Sequence, residues 1–293
     1  MRRLALLVAA VVALALAAVT ARYTIRQIRW LYAARTHVTD AERAEARAAL
    51  PGVVDVAFQT RDGLRLVGWF VPPRNGVVVV THHGLGGNRA AFLQELTILA
   101  RHGYGALSFD GRASGDSQGK IATLGDLEQD DVRAAIDEAL RHPGVSQIAL
   151  LGHSTGASAV AMAAIADDRV QALVLHATWP SISEEVSWKY RGLGAWSERA
   201  SLLGLDLYRV RRERIDPGAH LAAYAPRPLL MIAGDLDEDT PLWVMEKVFA
   251  AAREPKELHV VHGAGHGEVA RIAPAAYERW LIEFLDRSLL AAH

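Results

Sequence analysis

Val77-Val78-Val79-Val80 is apolar at every position, and residues 172–175 and 229–233 repeat the pattern. A strand with one wet face alternates apolar and polar residues. A strand that is apolar throughout must be covered on both sides. Residues 105–109, 146–151 and 258–261 read as further strands of this set. Between them lie stretches with helical spacing, at 90–101, 126–141, 155–166, near 241–252 and at 274–290. In 126–141 the apolar positions are Leu127, Val132, Ile136 and Leu140. Strands alternating with helices predict an α/β fold. Its central sheet is mostly parallel, helices cover both faces, and the crossovers are right-handed.

Two regions depart from this rhythm. Residues 53–60 and 64–71 alternate around Asp62-Gly63, which predicts a β-hairpin closed by Pro72-Pro73. Just upstream, residues 36–50 predict a short polar helix capped by Thr39 or Asp40, with Glu42 and Glu45 near its positive end. Residues 179–222 show no strand and hold three of the seven Trp (Trp179, Trp188 and Trp196), with Tyr190 and Tyr208. The stretch is too long for a plain connection. It predicts a helical cap insertion over the carboxyl edge of the sheet. The expected organisation is an N-terminal segment, residues 1–35, and one α/β domain, residues 36–293, carrying the cap at about 179–222. At 51% hydrophobic and 22% charged residues, the chain has the makings of a large core and is not a disordered or collagenous one.

The N-terminal segment has its own logic. Residues 4–21 are almost wholly apolar, and 18 residues of helix span roughly 27 Å, close to a bilayer core. Two readings stay open. Val19-Thr20-Ala21 is a weak signal-cleavage site, which would leave a secreted or periplasmic protein. Alternatively the run is an uncleaved membrane anchor, with Tyr23, Trp30 and Tyr32 suited to the interface beyond it. Arg22, Arg26 and Arg29 compete with Arg2 and Arg3, so orientation is not set. These residues with Arg35 are six Arg, and no acid accompanies them. Setting them aside leaves 26 basic against 33 acidic residues in the body, a net of −7. A mildly acidic body without a basic, aromatic-interleaved patch excludes nucleic acid as a partner. Zero Cys excludes a thiol nucleophile, a disulfide and a thiolate metal site.

The chemistry concentrates where residues 146–151 run into Gly152-His153-Ser154-Thr155-Gly156 and then a small-residue helix. This is G-x-S-x-G in a strand-turn-helix context. The sharp turn projects Ser154 Oγ from the sheet edge, while Gly152 and Gly156 keep Cβ atoms out of the crowded backbone. Serine needs a base. Of 12 His, His266 in Gly265-His266-Gly267 is the first candidate, and His262 after the same strand the second. His153 adjoins the serine, but its place in the turn is expected to point it elsewhere. The group that holds the base comes from Gly234 to Pro241. Asp237 lies far enough into the loop to turn under an imidazole. Asp235 could brace the loop instead, and Asp239 could cap the following helix. Two backbone donors must face a developing oxyanion. The candidates are the N–H of Thr155 and, in His82-His83-Gly84-Leu85-Gly86-Gly87, the N–H of Leu85. His82 and His83, even beside His262 and His266, lack partners at metal-site spacing. The glycines lack the order of a nucleotide loop. No metal and no cofactor is expected.

In this order and spacing, the motifs resemble the α/β-hydrolase superfamily, more closely its serine aminopeptidase-like (S33) and Bem46-like members, over about residues 53–288. Residues 62–73 look like the family's opening hairpin. His83 to Asn88 matches its oxyanion turn, which places Leu85 at a donor position. Residues 109–117 resemble its D-x-R-G-x-G-x-S loop, with Ala113 at a usual Gly. Gly234 to Pro241 matches G-x-x-D-x-x-V-P, with Thr240 at the usual Val, a register that favours Asp237. Gly265-His266 matches the terminal G-H. The resemblance implies a serine hydrolase that transfers an acyl group to water through Ser154, Asp237 and His266. A carboxylic ester is the first substrate class. A peptidase, aminopeptidase or thioesterase is the alternative, and an inactive membrane-tethered binding module a third reading. The expected partners are a small-molecule ester or short peptide, and a membrane through residues 4–21 if these are uncleaved. The cap's Trp residues would either line an apolar acyl pocket or pack within the cap. An amine-binding subsite would fall to Glu184 or Glu185.

Overall fold

The computed structural model describes residues 2–32 and 35–290, apart from the Trp30 side chain, so the expectation for Trp30 lies outside the described residues. Eight strands form one sheet in the order β1-β2-β4-β3-β5-β6-β7-β8. They are β1 Val54–Gln59, β2 Arg65–Val71, β3 Val77–His82, β4 Gly105–Phe109, β5 Gln147–His153, β6 Val170–His176, β7 Leu229–Gly234 and β8 Lys256–Val261. The hairpin β1–β2 is antiparallel and joins β4 antiparallel, whereas β3 to β8 are parallel throughout.

Pleating explains why the parallel strands are apolar at every position. Val78 and Val80 of β3 enter a core with Val132 and Ile136 of α4 (Glu128–Arg141) and Val160 of α5 (Thr155–Ile165). Val77 and Val79 enter the opposite core, with Leu96 and Leu99 of α3 (Leu93–Arg101) and Leu281 of the helix Pro274–Leu285. All four valines are fully buried. Each is worth about 1.5–3 kcal/mol in transfer alone. The α/β-hydrolase arrangement expected from the sequence is present, with helices on both faces.

The short polar helix is α2 (Asp40–Ala49). Thr39 is its cap, and with Glu42 it makes a full capping box. Residues 179–222 are helical as expected. They contain α6 (Ile182–Tyr190) and α7 (Ala195–Leu207), followed by short turns. The cap is tied to the carboxyl edge by Asp126, which pairs with Arg211 and Arg214, and by the Trp179 indole N–H donating to the Asp239 carbonyl.

The N-terminal helix α1 (Arg2–Leu31) runs without a break well past the apolar stretch. Among the described residues it is the one helix long and apolar enough to cross a membrane. Its first part is exposed. Its last part is not: Thr24, Gln27 and Leu31 are buried against the cap, and Thr24 Oγ1 donates to the Ala200 carbonyl at 2.7 Å. The end of the expected N-terminal segment therefore packs on the cap of the α/β domain.

The loop after β4 is held by charges withdrawn from water. Arg112 is 3% exposed and reaches Asp131 at 2.6 Å and Asp62 at 3.1 Å, and its N–H donates to Asp131 at 2.8 Å. Asp110 takes Arg89 as partner and accepts the Arg89 and Asp116 amides. These residues brace the loop. Ala113 stands there with φ 57, the left-handed region that its usual Gly would occupy without strain. Arg112→Ala would strand the buried Asp131 carboxylate. The expected loss is about 3–5 kcal/mol, read from the urea midpoint of the full chain. A loss below about 1 kcal/mol would show that the pair does not hold the loop.

Candidate active site

Ser154 sits between β5 and α5 with φ 56 and ψ −125, a conformation that costs a non-glycine residue about 1–3 kcal/mol. Three features hold it. Its N–H donates to the His176 carbonyl of β6 at 3.0 Å. A Cβ on Gly152 would stand 2.5 Å from Val160 and 2.6 Å from Ala157. One on Gly156 would stand 2.2 and 2.3 Å from the His82 and His83 carbonyl oxygens. The turn is pressed against the end of β3, and only glycine permits that approach. Gly84 in turn lies over the serine, its missing Cβ 3.1 Å from Ser154 Cβ.

The loop after β3 is fixed by His83. Its Nδ1 donates to the Gly84 carbonyl at 2.7 Å, and its Nε2 accepts the Gly111 N–H at 3.1 Å. The Leu85 and Thr155 amides, the two expected oxyanion donors, make no hydrogen bond among the described residues. Leu85 lines the cavity above Ser154.

His266 and Asp237 meet as a pair. Nδ1 donates to Asp237 at 2.9 and 3.1 Å, which leaves Nε2 with the free lone pair. Asp237 is 6% exposed, and its Oδ1 also accepts the Asp239 and Thr240 amides at 2.9 and 2.7 Å. The competing assignments fall elsewhere. Asp235 binds His262 at 2.8 Å and the Gly263 amide at 2.7 Å, so it braces the loop. Asp239 does not cap the helix Leu242–Ala251, whose cap residue Pro241 has no side-chain bond. Instead Asp239 lines the cavity.

His153 corrects the sequence reading. Its ring lies 4.6 Å from the His266 ring, centroid to centroid, and it lines the same cavity. The strand period explains this. Ala149 and Leu151 face the core that holds Val261 and Ala264, and His153 is the next residue on that side. That alternation was the available signal.

Burial sets the charge of these imidazoles. His82 and His176 are pushed down to about 4 and His153 to about 3, with the neighbouring His266 adding to the last. His83 is likewise lowered by burial and then by His82. His266 goes the other way. Burial opposes its charge, but the hydrogen bond and charge of Asp237, with Asp239 behind, outweigh burial and raise it above the ordinary 6.5.

Ser154, His153 and His266 share a cavity of about 330 Å³. Its far wall is polar: Glu185 and Lys189, paired at 2.8 Å, with Asp239 and Thr240. The cap's Trp residues do not form it. Trp179 and Trp188 pack with Trp243 at centroid separations of 5.3–6.4 Å, so the packing alternative holds for these two, whereas Trp196 is exposed. Helical spacing is the reason. Glu185 and Lys189 are one turn apart on one face of α6, while the Trp188 ring lies against Trp179 and Trp243.

A strained serine turn at the end of a central parallel strand, roofed by a glycine loop and a His–Asp pair, defines a class of α/β enzyme frame. The family model for the alpha/beta hydrolase fold matches residues 77–193. An uncharacterized protein of Mycobacterium tuberculosis is 32% identical over 247 residues, covering 81% of this chain and 82% of its own. YfhR of Salmonella typhimurium is 29% identical over 261 residues, covering 80% of this chain and 82% of its own. An esterase of Pyrococcus furiosus has the same fold, with a TM-score of 0.71 at 21% identity over 88% of this chain and 98% of its own. The chain belongs to the α/β-hydrolase superfamily.

The His266–Asp237 pair is open to NMR. The His266 ring is expected to titrate above 6.5, whereas the His153 pKa is pushed down to about 3. In Asp237→Asn, burial is left unopposed by that charge and the His266 pKa should fall. An unchanged pKa in the folded variant would refute this account of the pair.

Proposed function

We propose that the protein is a serine hydrolase that transfers an acyl group to water, with carboxylic esters as its first substrate class. The observation that carries this reading is the shared cavity, where a serine on a strained turn and the free Nε2 side of an Asp-held imidazole line one space. In the proposed mechanism His266 Nε2 removes the Ser154 proton as Oγ attacks the ester carbonyl. The Leu85 and Thr155 amides receive the oxyanion. The His266 imidazolium, stabilised by Asp237, protonates the leaving alcohol. Water activated by His266 then releases the acid. The Pyrococcus furiosus neighbour is an esterase, which supports the choice of ester. The polar wall of the cavity favours small or polar acyl groups over long apolar ones within it.

One observation favours a second reading. Glu185 and Asp239 put carboxylates into the cavity, which suits the free amine of a peptide, although Glu185 is paired with Lys189. A panel of p-nitrophenyl esters, thioesters and aminoacyl p-nitroanilides separates these readings. The residues 4–21 of α1 are proposed as an uncleaved membrane anchor, with a cleaved signal as the alternative. Intact N-terminal mass of the cell-derived protein decides between them.

A tagged fluorophosphonate should label Ser154 in the full chain, and Ser154→Ala and His266→Ala should abolish labelling. Each should lower kcat by about 10⁴–10⁶-fold, and the double variant no further. Well-folded protein without labelling would sink the serine mechanism. Only neutral His266 acts as base. The ester kcat/KM should therefore fall as pH drops through a pKa above 6.5, and that limb should move to lower pH in Asp237→Asn.

A further inference from the structure

The hairpin α6–α7 ends in a tip that the described contacts leave bare. Residues 191–196 are all exposed, and the tip carries Leu193 at 52% and Trp196 at 46% exposure. Its place along α1 is fixed. Trp196 Nε1 donates to Thr20 Oγ1 at 2.7 Å, Thr24 bonds Ala200, Gly204 lies against Gln27, and Tyr32 stacks edge-on with Tyr208 at 5.8 Å. The helices are parallel, and every pair is offset by about the same number of residues. The start of α7 is thus level with the end of the apolar run of α1, and the rest of the domain lies beyond it. On its other limb α6 descends to the same level, where Tyr190 packs edge-on against Tyr23 at 5.6 Å.

Charge follows the same geometry. Arg22 and Arg26 of α1 and Arg191 and Arg199 of the hairpin are exposed around the tip. The acid nearest in sequence on α7, Glu198, accepts a hydrogen bond from Ser187. Arg191 lies over the Trp188 ring at 3.4 Å. An exposed Leu and Trp ringed by Arg, continuous with an exposed membrane-length helix, has the composition of an interfacial surface.

We infer that the α6–α7 tip is a second membrane contact, seated in the headgroup layer of an anionic bilayer beside α1. Leu193 and Trp196 enter the acyl boundary, and the four Arg meet lipid phosphates. Because α1 continues into the cap without a linker, the body cannot swivel freely over the membrane. Lys189, on the wall of the Ser154 cavity, is one residue before the tip's Tyr190 anchor. The cavity therefore lies within about one or two helical turns of the lipid surface. Resting on the esterase reading, this assigns the substrate to amphiphilic esters that arrive from the bilayer with their polar end in the cavity.

The absence of Cys allows a clean test. Full-length chains with a nitroxide on Leu193→Cys, or on the exposed Arg253→Cys before β8, are placed in nanodiscs with and without phosphatidylglycerol. Collision with oxygen and with a nickel chelate is then compared. The 193 label should be shielded from nickel several-fold more than the 253 label, and more so with phosphatidylglycerol. Equal nickel access at both sites would overturn the docking, whatever the enzyme does. Shielding that persists in detergent and grows with protein concentration would assign the tip to a second copy and overturn the lipid reading. Leu193→Glu should slow hydrolysis of a vesicle-borne butyrate ester of a long-chain alcohol several-fold and leave a soluble butyrate ester untouched. Equal slowing of both would overturn the substrate assignment. If neither ester is cleaved by the parent chain, the esterase reading fails, and the nitroxide result still decides the docking.

Discussion

The carboxyl edge of this sheet depends on the backbone of one residue. Ser154 is held at positive φ by a bond to β6 and by the pressing of Gly152 and Gly156 against β3 and α5. The strain is local, but its consequences reach further. A relaxed turn would move the start of α5 away from the His82 and His83 carbonyls. The glycine loop over the serine would then lose its floor. The loop has its own support in His83, whose two ring nitrogens bridge Gly84 and Gly111. Position at this edge is set by backbone contacts, and few side chains are free to choose another geometry.

Electrostatics then separates five imidazoles near the serine turn. Four sit close to the serine turn in surroundings that keep them neutral, and they work as spacers and hydrogen-bond partners. His266 alone combines partial burial with a carboxylate that is itself fixed by two amides. Asp237 therefore orients the ring and also selects which of the five holds a proton most readily.

Much of this was legible in the residues. The unalternating strands required a sheet covered on both faces, and the glycines around Ser154 announced a close approach. The resemblance of Gly234 to Pro241 to the G-x-x-D-x-x-V-P loop favoured Asp237, the residue that meets His266. Other features were not legible, for identifiable reasons. Read as an isolated motif, the turn points His153 away, whereas strand pleating continues into it and brings the ring beside His266. The Trp residues of the cap are as apolar in a pocket as in a packed cluster. Only the helical phase of Glu185, Trp188 and Lys189 relative to β5 separates the two, and that phase depends on where α6 docks. The packing of Thr24, Gln27 and Leu31 was hidden because α1 reads, in sequence, as a uniform apolar rod followed by a basic stretch.

That packing changes what the N-terminal helix is. Its last three turns fill a groove lined by Ala200, Gly204 and Tyr190, so the cap is a bundle of three helices, one of which is α1. Removing residues up to 35 to obtain a soluble protein would pull a stave from this bundle and bare the small-residue face of α7. The Leu31 carbonyl, which accepts the Ala122 amide, would go with it. The end of α1 and the cap pack together, and a shortened chain that keeps the cap intact has to begin upstream of Thr20.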